Sequence, residues 1–160
     1  MSDSPHSPSA EALQRMKAIM DFTPQARALG VEVMRIEEGR VWGRVPYRAE
    51  LVGDPETGVI AGGVVTTLLD QLCGAAAVLA QQHPTSVATI DLRIDYMRPA
   101  EVGADILADA QCYKLTRHVA FVRAIAYERD PDDPIAHATA TFMLDSSTGR
   151  GAQLYKAKAK

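Results

Sequence analysis

Apolar residues along this chain follow a helical period in one long central stretch and a two-residue period in most of what flanks it. Between Gly58 and Gln82, Val64, Leu68, Leu72 and Ala76 recur at four-residue spacing, and Val65, Leu69 and Cys73 repeat beside them. That is a wide apolar face at the 3.6-residue period, and it predicts a helix. β-Branched Val and Thr near its start lower helix propensity, but burial overrides that. Gly63, Thr66, Thr67, Asp70, Gly74 and Ala77 form a narrow stripe of small and polar residues between the apolar flanks. A helix so apolar around its girth belongs inside a fold. Asp70, Gln71 and two Thr interrupt the run, and an intramembrane Asp costs about 2.5–3.5 kcal/mol, so a membrane span is not expected.

Upstream, Ser9 can cap a helix from Ala10 to about Met20, with Leu13, Met16, Ile19 and Met20 on one side. Thr23-Pro24 opens a second, short helix with Thr23 as its cap, and Gly30 ends it. A hairpin follows, Val31 to Glu37 and Arg40 to Tyr47, with Val31, Val33 and Arg35 expected on one face. Downstream, Ala88, Ile90, Leu92, Ile94 and Tyr96 alternate with Thr89, Asp91, Arg93, Asp95 and Met97, which predicts a half-buried strand. Strands are also expected over Ala104 to Leu115, Val119 to Arg129 and Ile135 to Leu144. One buried helix amid six strands points to an α+β fold, an antiparallel sheet wrapped around a long central helix. The organisation expected is an N-terminal tail and helix over 1–25, a single domain over 26–145 and a C-terminal tail over 146–160.

At 160 residues the chain is long enough for one real core. A net charge of −3 argues against broad nucleic-acid binding. Met1 to Ala10 is rich in Ser and Pro and lacks the apolar core of an export signal, so a cytoplasmic protein is expected, with Cys73 and Cys112 as reduced core residues. The four histidines are scattered, and no metal is required.

Two features of the central helix can do chemistry. Its first-turn N–H groups are unpaired at the positive end of the dipole, and Gly62 and Gly63 let a ligand oxygen approach them. Asp70 lies two turns on, nearly on the same face, but about 10 Å away. One carbonyl carbon cannot be served by both, so a shared substrate would need a second copy of the helix. Thr67 can orient Asp70 from one turn back or bond its own backbone carbonyl. Cys73 has no base nearby.

In order and spacing, several segments resemble the hotdog-fold acyl-CoA thioesterases of the phenylacetate-degradation-type (PaaI-like) branch. Ala61-Gly62-Gly63 with Asp70 resembles a His-Gly-Gly followed by an acid nine residues after the His. Thr89-Ile-Asp-Leu-Arg-Ile-Asp-Tyr-Met-Arg-Pro99, Lys114-Leu-Thr-Arg117 and Ala136-His-Ala-Thr-Ala-Thr-Phe142 resemble later motifs, and the likeness spans Ala28 to Leu144. It implies a homodimer, or a dimer of dimers, with composite sites where central helices meet. It implies hydrolysis of an acyl-CoA, CoA being part of the substrate and no cofactor being needed. The N–H of Gly63, with that of Gly62, would polarise the carbonyl, and Asp70 of the other subunit would act as general base or nucleophile. Arg98, Lys114 and Arg117 would hold CoA phosphates. This chain departs from the pattern where Ala61 replaces the His, where Asp54 replaces the usual loop Asn, and where Thr116 replaces the hairpin Gly; Ala61, Asp54 and Thr67 would still line the substrate. An alternative is an acyl-CoA-binding protein of this fold that does not hydrolyse. A hydratase would want a His beside the acid, and none lies between Thr57 and Gln82.

Overall fold

The computed structural model describes residues 10–144, so the tail expectations and the Ser9 cap lie outside the described residues. The chain runs through α1 (Ala10–Phe22), α2 (Pro24–Leu29), β1 (Glu32–Glu37), β2 (Arg40–Val45), β3 (Val52–Asp54), β4 (Val59–Ile60), α3 (Gly62–Leu79), β5 (Val87–Tyr96), β6 (Ile106–Leu115), β7 (Val119–Tyr127) and β8 (Ala136–Leu144). The segment between the first hairpin and the central helix holds a one-turn helix, Ala49–Leu51, and the small β3–β4 ribbon. Gly30 closes α2 in the left-handed region, at φ 72°, where a side chain would be strained. Thr23 does not cap α2 with its side chain; its hydroxyl donates back to the Ile19 carbonyl of α1 (3.2 Å).

Six strands form one antiparallel sheet in the order β1-β2-β6-β7-β8-β5. β5 crosses over to pair with β8 instead of β6, which leaves its other edge without a partner strand among the described residues. The sheet curls around α3, which touches β2, β5, β6, β7 and β8. Residue size explains the close fit. The concave face is built largely from buried alanines, among them Ala108, Ala110, Ala120, Ala124, Ala126 and Ala138, and these leave room for Leu68, Leu69 and Leu72 of the helix. At Gly43 of β2 the approach is closer still: a Cβ there would lie 3.0 Å from Leu72 Cδ2 and 2.7 Å from the Glu32 carbonyl oxygen. By length and composition α3 could cross a membrane. Its apolar face is instead buried in the sheet, Val64 and Val65 included.

Bulges alter two of the expected alternations. One between Val33 and Arg35 turns Ile36 inward and leaves Arg35 exposed. The other, between Thr89 and Asp91, leaves Ile90 unpaired and 54% exposed. A bulge inserts one residue and so reverses which side chains face the core. Beyond it Leu92 and Ile94 face inward as expected; before it the phase is inverted, and Thr89 rather than Ile90 points to α3.

An ion-pair cluster fixes the far end of β5. Arg98 donates to both carboxylate oxygens of the buried Glu128 (3.1 and 2.7 Å) and to the Asp133 carbonyl (2.6 Å), and its Nε lies 3.2 Å from an Asp133 carboxylate oxygen. Glu128 also accepts the Glu101 N–H (2.8 Å). Burial alone would raise the Glu128 pKa; the Arg98 hydrogen bonds, the Glu101 N–H and the Arg98 charge outweigh burial and hold it below the ordinary 4.5. A carboxyl held lower in the folded than in the unfolded state contributes stability that is complete above its unfolded value and is lost as pH falls through the folded one. Glu128→Gln should therefore cost about 2 kcal/mol at neutral pH. Below the ordinary carboxylate range the wild type should lose stability more steeply than the variant. Urea midpoints measured from pH 7 to pH 3 check both statements, and parallel curves would remove Glu128 as the cause.

Candidate functional site

Helix α3 begins without a side-chain cap, because Ala61 stands at the capping position. Among the described residues the N–H groups of Gly62 and Gly63 find no acceptor, while that of Val64 bonds the Ala61 carbonyl (2.9 Å). Both glycines are exposed. A Cβ built at Gly63 meets nothing within 4 Å, so packing within the chain does not demand glycine there. Ala61 is itself hemmed in: a Cβ at Gly53 of β3 would come within 2.8 Å of the Ala61 Cα.

Tyr96, at the end of β5, ties down this helix start. Its hydroxyl donates to the Gly62 carbonyl (2.7 Å) and lies 2.9 Å from Thr66 Oγ1. A cavity of about 350 Å³ opens beside it, lined by Gly62, Val65, Tyr96, Met97, Arg98 and Ile135 among others.

Asp70 lies two turns along the same stripe and is half-buried. Its Oδ1 accepts a hydrogen bond from Thr89 Oγ1 (2.9 Å), which orients the carboxylate and leaves Oδ2 unbonded among the described residues. A second cavity, of about 230 Å³, lies against this carboxylate. Met16, Ile19 and Met20 of α1 form one wall, and Val78, Val87 and Phe142 contribute others. Cys73 is no competing nucleophile: burial, with the Asp70 charge adding, pushes its thiol up to about 12.

The remaining expected residues are placed differently. Thr67 donates to the Gly63 carbonyl (2.9 Å), so the hydroxyl that orients Asp70 is that of Thr89. Asp54 builds the β3–β4 turn, its oxygens taken by the Glu56 N–H and the Thr57 hydroxyl. Arg98 borders the larger cavity, but Glu128 and Asp133 take up its guanidinium, so the group expected to reach phosphate acts as an internal tie. Lys114 and Arg117 are exposed at the β6–β7 hairpin, with no ion pair among the described residues. They lie beyond the Val87–Leu144 end of the sheet, whereas Arg98 follows the Tyr96–Ala136 end. One chain therefore cannot gather all three around one ligand.

Thr89 and Tyr96 are the residues the sequence reading missed as contacts of the site. Both stand in the motif from Thr89 to Pro99, but strict alternation puts Thr89 on the wrong face.

The sequence profile of the thioesterase superfamily matches residues 57–135. The medium/long-chain acyl-CoA thioesterase YigI of Salmonella typhimurium is 30% identical over 134 residues, covering 76% of this chain and 85% of YigI. A Halobacterium salinarum protein is 38% identical over 90 residues, which is 54% of this chain and 58% of that protein. A Pseudomonas aeruginosa protein of known crystal structure is 39% identical with a TM-score of 0.75, over 82% of this chain and 98% of the other. The E. coli PaaI protein of the phenylacetic acid degradation operon shares the fold, with a TM-score of 0.76 at 19% identity over 89% of this chain and 99% of PaaI.

If the Tyr96 hydroxyl holds the first turn of α3, Tyr96→Phe should lower stability by about 1 kcal/mol. Chemical denaturation reads this directly, and an unchanged midpoint would show that the helix start stands without it.

Proposed function

The chain belongs to the thioesterase superfamily, with its hotdog fold, and we propose that it hydrolyses acyl-CoA thioesters in a site shared between two subunits. The observation that carries the reading is the pair of N–H groups at Gly62 and Gly63 that find no acceptor among the described residues, together with the oriented carboxylate of Asp70 two turns away. The N–H of Gly63, with that of Gly62, takes the thioester carbonyl oxygen and stabilises the charge that builds there during attack. Asp70 of the partner takes a proton from water, or attacks through its own oxygen, expelling the CoA thiolate and forming an anhydride that water then hydrolyses to restore the carboxylate. In the water route the new C–O bond forms, the C–S bond breaks, and the proton passes to sulfur. The products are the free CoA thiol and a carboxylic acid.

Symmetry supports the shared site. If two α3 helices cross antiparallel with their axis between Thr66 and Thr67, each Gly63 faces the partner's Asp70, and the 10 Å gap along one helix disappears. The open edge of β5 supports the same assembly. A ten-residue strand with an unpaired edge invites a second strand. Ile90 and Tyr96 are exposed on it, Met97 just past it, and Met143 on its neighbour β8. The same two-fold would bring Lys114 and Arg117 of one subunit to the end of the sheet where the partner's Gly62 lies, which suits them to hold the phosphates of CoA. Acyl-CoA hydrolysis by YigI, which this chain matches over most of its length, supports the substrate class.

Turnover of acyl-CoAs, followed by trapping the released thiol, tests this. Asp70→Asn should lower kcat by about 10²–10⁴-fold. Gly63→Ala should lower it about 10²-fold without loss of folding, since its methyl meets no neighbour in the chain. Thr89→Val should reduce kcat by about tenfold through a misaligned carboxylate. Full activity in Asp70→Asn would overturn the mechanism. A wild-type dimer that binds CoA esters without cleaving them would replace the hydrolase by a binding protein, with Ala61 in place of the family His as the change responsible.

A further inference from the structure

We propose that the cavity between α1, α3 and β5 receives the acyl chain of the thioester, and that Met16, Ile19 and Met20 of α1, with Gly74 opposite, set the chain length accepted. This rests on the thioesterase reading and names the group that reading leaves open.

Position is the first argument. Asp70 lines this cavity. A carboxylate that acts at the carbonyl carbon must lie beside it, and the acyl chain begins at that carbon. The first methylenes therefore enter the space the carboxylate itself borders. Away from Asp70, Gln71 and Thr89 the named walls are apolar side chains, from Met16, Ile19, Met20, Val78, Val87 and Phe142. The amide-rich pantetheine arm would lose its hydrogen bonds there, whereas a hydrocarbon chain loses none.

Size is the second argument. An apolar cavity of about 150 Å³ holds a benzene molecule. In proportion, about 230 Å³ suits a chain of roughly nine carbons. Methionine side chains are unbranched and flexible, so a wall containing two of them can shape itself to an alkyl chain.

Gly74 is the third. It sits in the middle of α3, where glycine is a much poorer helix former than alanine. Packing does not explain it: a Cβ there would meet Phe142 at 3.5 Å and Val87 at 3.9 Å, both ordinary contacts. Those neighbours line the cavity, so the missing methyl leaves volume in it.

Gly74→Ala separates this role from a structural one, because it should raise the melting temperature while narrowing the pocket. Two ladders should be run on wild type, Gly74→Ala and Met20→Ala: hydrolysis of acyl-CoAs from acetyl to tetradecanoyl, and calorimetric binding of the matching S-alkyl-CoA thioethers. Wild-type affinity for the thioethers should rise about fourfold per methylene until the pocket is full. In Gly74→Ala the ratio of dodecanoyl to acetyl kcat/KM should fall at least tenfold, and the binding plateau should come at a shorter chain. Met20→Ala should move the optimum to longer chains. If no thioester is cleaved but the thioether ladder persists and shortens in Gly74→Ala, the hydrolase reading falls and the acyl pocket stands. If the ladder is flat, or Gly74→Ala and Met20→Ala change all chain lengths alike, the acyl pocket is overturned whatever the wild type hydrolyses.

Discussion

The structure depends on burying an unusually apolar helix in a sheet that cannot enclose it. The concave face is lined with alanines, so α3 sinks deeply enough to exclude water from Leu68, Leu69 and Leu72. Six strands cover only part of the helix's circumference. The stripe left over is where bulky apolar residues would be exposed, and it carries Gly62, Gly63, Thr66, Thr67 and Asp70 instead. Thr66 and Thr67 satisfy their hydroxyls on carbonyls one turn back, so they add little polarity of their own. What remains chemically available is the uncapped start of the helix and one carboxylate.

The strand that frames that stripe is shaped by a single extra residue. Without the bulge at Ile90, Thr89 would share a face with Asp91 and Arg93, which are exposed. The bulge puts Thr89 and Tyr96 on the same side of β5, one against Asp70 and the other against Gly62. Thr89 and Tyr96, seven residues apart on one strand, thus touch both ends of the candidate machinery. Bulges often re-aim side chains in this way beside functional sites. The Arg98–Glu128 pair then anchors the strand just past Tyr96, which explains why a buried ion pair stands where a free arginine was expected.

Much of this was legible in the residues. The period of α3, the alternation of β8 and most of the small-residue stripe follow from side-chain spacing and agree with burial, but Ala77, expected on the stripe, is fully buried in the core. What escaped was whatever one inserted residue or one partner decides. The bulges at Val33–Arg35 and Thr89–Asp91 have no signature in the alternation they interrupt. Asp54 and Arg98 are polar groups whose partners lie in the turn and across the sheet, so their residue type alone could not tell a ligand contact from an internal bond. Placing β5 beside β8 depends on the crossover, which no local pattern encodes.

The two incomplete features of the protomer belong to one cause. An open β5 edge and an uncovered stripe on α3 lie side by side, because β5 is the strand at which the curl stops. A second copy laid against that edge would extend the sheet and set its own stripe against the first. The groups that one helix holds about 10 Å apart would then face their counterparts at reacting distance. On this view a substitution that weakens the edge should not merely lower stability; it should separate the proposed oxyanion donors from the carboxylate proposed to act with them. On the proposed mechanism assembly and chemistry would be coupled by helix geometry, since Gly63 and Asp70 of one α3, two turns apart, do not reach one carbonyl.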